Sequence, residues 1–68
     1  MSKVKKLVVR VEKTNTGFSA YAEKYAAFTT ATSAAELISN MVESLNLYFE
    51  AEGLKRRVAS RDLSFQVE

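Results

Sequence analysis

Residues 33–53 read SAAELISNMVESLNLYFEAEG, and the fold turns on whether this stretch is a single helix. Ser33 stands three residues before Glu36, so its hydroxyl oxygen can accept from a backbone N–H while the glutamate reaches back, the reciprocal arrangement of a capping box. From Ala34 onward, at 100° per residue, Ala34, Ile38, Met41, Val42, Leu45, Tyr48 and Phe49 gather on one wide apolar stripe. Gly53 suits the left-handed position that ends a helix. The spacing predicts one amphipathic helix that starts at Ala34 and stops at Gly53.

Upstream the period changes from that of a helix to two. In KKLVVRVEK, residues 5–13, Leu7, Val9 and Val11 alternate with Lys6, Arg10 and Glu12, which places one side of a strand on a core and the other toward water, with Val8 breaking the polar side. TNTG follows at 14–17, and then FSAYAEK, where Phe18, Ala20 and Ala22 share one face and Ser19, Tyr21 and Glu23 the other. Asn and Gly tolerate the positive φ angles of tight turns, so this is a hairpin signal. YAAFTTATS, residues 25–33, is rich in aromatic and β-branched residues and predicts a third strand. Beyond the helix, LKRRVASRD reads as a basic connection, and LSFQVE alternates Leu63, Phe65 and Val67 into a last strand.

The order β-β-β-α-β describes a two-layer α+β domain: a three-stranded antiparallel meander plus a C-terminal strand, with one helix packed across one sheet face. In so small a chain the helix stripe has nothing else to bury against. The other sheet face, with Val8 and Tyr21, then stays open unless something covers it, so self-association into a dimer or larger homo-oligomer is expected. Sixty-eight residues fit one domain, residues 1–68, that buries only roughly 60% of the surface of its unfolded chain. Without cysteine or histidine, the chain lacks disulfides, the usual zinc ligand sets and the commonest general base. No apolar run approaches the ~20 residues of a membrane span, and the N-terminus meets charge at Arg10 before it could serve as a signal peptide, so no membrane association and a cytoplasmic location are expected.

The net charge of +2 is small, but it is unevenly spread. Residues 34–52 hold Glu36, Glu43, Glu50 and Glu52 and neither Lys nor Arg. Glu36, Glu43 and Glu50 are seven residues apart, drift only about 20° per step, and form a line along the helix with Leu47 on the same side. Two readings of this line stand side by side: a solvated face carrying one exposed leucine, or a surface that meets a basic partner through its carboxylates and Leu47. Tyr21 and Tyr25, with Phe28, are likewise either packing residues or a partner-facing cluster around the second and third strands. LKRR and Arg61 raise direct nucleic-acid binding through the basic 55–61 loop as an alternative, although no stacking aromatics are interleaved with these charges.

VVRVEKTNTGFSAYAE followed by SAAELISNMVESLNLYFE resembles the HicB antitoxin family of bacterial toxin–antitoxin pairs, over residues 7–53. Gly17, Phe18 and Ala20 match that family's turn, glycine, aromatic and small residue. Ser33 and Glu36 match its helix start, and Asn40, Met41, Glu43, Leu45, Leu47, Tyr48 and Glu50 its helix. Where the family commonly has a Pro and a Gly-Cys pair, this chain has EKYAAFTT. Family members usually continue into a DNA-binding segment, whereas this sequence stops at Glu68, so the resemblance assigns DNA autoregulation to a segment these residues do not include.

The resemblance implies a partial ribonuclease-H-like fold and the neutralisation of a small, basic RNA-cleaving toxin of the HicA type. Ribonuclease H chemistry needs carboxylates converging on metal ions, one of them from the middle of the first strand. Here Val8, Val9 and Arg10 stand there, and Asp62 is the only aspartate. The expectation is a domain with no catalytic residues, no metal and no cofactor, whose partner-facing residues come from Glu36, Glu43, Leu47, Glu50, Tyr21 and Tyr25. An orphan oligomeric structural or regulatory domain of the same fold is the other outcome the sequence allows.

Overall fold

The computed structural model describes residues 6–67, so the first five residues and Glu68, the last residue of LSFQVE, lie outside the described residues. Strands β1 (Leu7–Thr14), β2 (Gly17–Ala22) and β3 (Phe28–Ala31) precede helix α1 (Ala34–Ala51), and a short 3₁₀ turn at Ser60–Asp62 leads into β4 (Leu63–Val67). One sheet has the order β3-β2-β1-β4. The first three strands form the expected antiparallel meander, while β4 pairs with β1 in parallel. That direction follows from the connectivity. Because β3 runs the same way as β1, a helix that carries the chain back along the sheet delivers β4 in the same sense, through a crossover long enough for a parallel pair.

The register sorts the side chains. Val9 opposes Ala22 and Phe65, and Val11 opposes Ala20 and Val67, so these residues share the helix side of the sheet with Leu7 and Leu63. Arg10 opposes Tyr21 and Gln66, and Tyr21 opposes Phe28, which forms one row across all four strands on the other side. Val8 and Tyr21 therefore lie on the open face, as the alternation requires.

Helix α1 buries Leu37, Met41, Leu45 and Phe49, an i, i+4 ridge, while Ile38, Val42 and Tyr48 flank it half-buried. Leu37, not among the stripe residues read from the sequence, is buried at the head of this ridge, whereas Ala34, which was among them, stays exposed. Cα atoms of the helix approach within 8 Å of those in β2 and β3, a close passage that small residues beneath it, Ala20 and Ala22, make possible. With Ala27 and Val58 these residues complete the core, and among the described residues no polar or charged side chain is buried. The third strand is shorter than YAAFTTATS suggests, because residues 23–26 form bends that carry Tyr25 over to the helix.

Both helix ends are closed by their own chemistry. At the start, the Ser33 hydroxyl oxygen accepts from the Glu36 N–H at 3.2 Å. At the end, Gly53 has φ +73°, its N–H donates to Glu50 O at 3.0 Å, and the Leu54 N–H donates to Phe49 O at 2.8 Å, the paired bonds of a Schellman motif. The basic connection is then tied back to the helix. Asn46 donates through Nδ2 to Val58 O at 3.2 Å and accepts at Oδ1 from Val58 N–H at 2.9 Å. Asp62 accepts from Ala59 N–H at 2.9 Å, so the only aspartate closes the short turn before β4.

Gly17 is not in the hairpin turn, as the sequence suggests, but opens β2 opposite Thr14. Among the described residues no non-glycine has positive φ, so Asn15 and Thr16 turn the chain without it, and Gly17 takes φ +153° opposite Ala31 and Thr32. A Cβ there would lie 2.1 Å from Ala31 O and 2.8 Å from Thr32 Cα. Gly17→Ala is expected to cost about 2 kcal/mol or more, since backbone must shift to admit the methyl. Gly53→Ala meets open space and should cost only about 1 kcal/mol, from its left-handed φ. Urea denaturation checks this order, and equal losses would contradict it. Asn46→Ala strands the Val58 N–H and C=O together and should cost about 2 kcal/mol, with faster amide exchange at Val58 than in the parent.

Candidate protein-binding face

The outward side of α1 presents Glu43, Leu47 and Glu50 at i, i+4 and i+7, all exposed, with Leu47 57% accessible. They line a groove of about 400 Å³ whose wall also includes Val42, Asn46 and Arg57. Arg57 is there because the Asn46–Val58 hydrogen bonds draw the basic connection alongside the helix. The face thus combines two carboxylates, an exposed leucine and one facing cation.

The charge on this face opposes the local backbone. The C-terminal end of a helix carries partial negative charge, and cations there are stabilising by about 0.3–1 kcal/mol where anions are not. Helix α1 has no basic residue in its last turn, where Glu50 lies, and Glu52 caps it. A sequence optimised only for helix stability would place Lys or Arg here. A positively charged surface docked on this side would meet both carboxylates at the negative end of the helix.

The remaining candidate residues go to three other places. Glu36 begins the acidic line, but its Oε1 accepts from the Thr32 N–H at 2.9 Å and from the Thr32 hydroxyl at 3.0 Å. The glutamate reaches one residue further back than a capping box predicts, and these two bonds, the backbone one first, hold its carboxyl below the ordinary carboxylate range. Tyr21 is 49% accessible on the open sheet face, beside Phe28 at 64%. Tyr25 is half-buried on the helix side, with its ring centre 5.0 Å from that of Phe49 in an edge-on arrangement and 5.7 Å from that of Tyr48. The structure brings together Glu43, Leu47 and Glu50, and disperses Glu36, Tyr21 and Tyr25.

Two residues that shape the face are silent in a pattern of charge and hydropathy. Asn46 positions the groove's far wall, and its one sequence signal is that asparagine is a poor choice for a helix interior unless its amide has work elsewhere. Arg57 belongs to the basic run, yet nothing in that run shows which cation folds against the helix. Asn40, similarly placed within the helix, donates to Thr30 O at 3.3 Å and ties α1 to the edge strand β3.

Among the described residues no three of the acidic side chains stand close enough together to hold a metal ion, and no helix is long and apolar enough to cross a membrane. No family model, curated protein or solved structure matches the chain.

Proposed function

We propose that this chain is a non-catalytic, antitoxin-like protein-binding domain of the cytoplasm that neutralises a small, basic RNA-cleaving toxin of the HicA type by covering its RNA-binding surface. The observation that carries the reading is the Glu43–Leu47–Glu50 face: an accessible leucine between two carboxylates, at the negative end of a helix with no cation in its last turn. A toxin surface that binds RNA phosphates is cationic, so carboxylates speed encounter with it and compete with RNA for the same ground, while the leucine supplies a desolvated contact at the centre. Arg57 is a gate in this scheme. It lies on a tethered segment at the groove rim and swings aside or pairs with an acidic residue of the partner.

The resemblance in residues 7–53 supports the same reading, because its matched helix positions include Glu43, Leu47 and Glu50. The open sheet face, with Tyr21 and Phe28 exposed side by side, supports self-association as a second contact. The direct nucleic-acid alternative draws less support. Lys55, Arg56 and Arg57 line one groove, but the Glu50 carboxylate lines it with them and Arg56 is drawn onto Tyr25 and Phe49.

Co-expression with a small, basic HicA-type toxin tests the proposal. The parent chain should co-purify with the toxin and relieve its growth arrest. Glu43→Lys combined with Glu50→Lys should weaken the complex about ten-fold or more, roughly 1.4 kcal/mol, without loss of helix content by circular dichroism. A double variant that neutralises the toxin as well as the parent would mean that the line is only a solvated face.

A further inference from the structure

A recess of about 370 Å³ opens where the start of β1, the connection between β2 and β3, and the segment after α1 come together. Its charge is one-sided. Lys6, Lys24 and Arg56 line it, and the one carboxylate on its wall, Glu23, is paired at 2.7 Å with the Arg10 guanidinium. Among the described residues no carboxylate pairs with Lys6, Lys24 or Arg56. Leu7, Val8 and Tyr25 supply the rest of the wall.

One of these cations, Arg56, is tethered to the aromatic cluster. Arg56 donates from Nη1 to Tyr25 Oη at 3.0 Å, and its guanidinium carbon is 5.3 Å from the centre of the Phe49 ring. Tyr25 is in turn held edge-on by Phe49. A guanidinium has five N–H donors, so this contact leaves most of them for a ligand, and Tyr25, which accepts from Arg56 with its oxygen, keeps its own O–H to donate. Ordering these groups has already been met by the fold, which removes much of the entropic cost of binding.

We propose that this recess binds a phosphomonoester dianion. Three cations and a hydroxyl donor exceed what a single carboxylate can use, while a phosphoryl group has three terminal oxygens and close to two negative charges, and the planar guanidinium matches two of those oxygens at once. The volume falls within the range of small-molecule sites and leaves room beyond a bare phosphate for an organic group against Leu7, Val8 and the Tyr25 ring. Inorganic phosphate and a mononucleotide present the same chemistry. The recess shares no lining residue with the Glu43–Leu47–Glu50 groove, so it stands independently of the antitoxin reading.

Titration of the 68-residue chain at low salt, followed by backbone amide NMR, tests the site with inorganic phosphate, AMP and adenosine. Phosphate and AMP should give saturable shifts at residues 6–8, 23–25 and 56, and adenosine none. AMP binding more tightly than phosphate identifies the organic monoester as the ligand; equal affinities identify free phosphate. Lys24→Gln, at an exposed position, should weaken AMP about five-fold or more with unchanged Tm, and Arg56→Lys, which keeps the charge and loses the fork, about ten-fold. Shifts that never saturate, that spread equally over Lys55, Arg57 and Arg61, or that persist unchanged in Lys24→Gln would overturn the site.

Discussion

Everything in this molecule depends on one contact: the Leu37–Met41–Leu45–Phe49 ridge of α1 pressed onto the sheet side made by Val9, Val11, Ala20 and Ala22. Among the described residues there is no second α-helix and no second sheet, so within them this is where apolar surface leaves water in quantity. The demand for close approach explains the small residues. Alanines at 20 and 22 admit the helix, and Gly17 admits the backbone that leads from β3 into the helix N-terminus.

Committing one side of each layer leaves the other side of each layer outward. The helix turns Glu43, Leu47 and Glu50 to solvent, and the sheet turns out Val8, Arg10, Tyr21 and Phe28. The connection after the helix then decides which charges meet which face. The Schellman turn at Gly53 reverses the chain and Asn46 pins Val58, so that Lys55, Arg56 and Arg57 share one groove with Glu50, while Arg56 also reaches the aromatic cluster and Arg57 the Glu43–Leu47–Glu50 groove.

The helix, its start and its end were legible because each has a local cause: a serine cap, a 3.6-residue period and a glycine able to take positive φ. The same holds for the two sides of β1; the hairpin's place was legible too, but its turn is made by Asn15 and Thr16 without positive φ, and Gly17 lies in β2. The parallel setting of β4 is not local, since it follows from the direction in which the helix returns the chain. Tyr25 was equally opaque. Its neighbours alternate like a strand, but a bend after Ala22 sends it to the helix, and only the tertiary contact with Phe49 shows that its ring serves packing. At the candidate face, the spacing of the glutamates and Leu47 was readable as one line, whereas the withdrawal of Glu36 into the cap depended on Thr32 lying within reach of its carboxylate.

On the function proposed above, a protein partner docks on the outward side of α1 rather than on the open sheet. Cross-saturation NMR on the chain with labelled Leu and Val methyls, in complex with an unlabelled, catalytically inactive HicA-type toxin, reads this directly. The largest intensity loss is expected at Leu47, with Val42 beside it affected and Val8 on the open sheet face unaffected. Intensity loss centred on Val8 with Leu47 unchanged, or the absence of any complex, would contradict it.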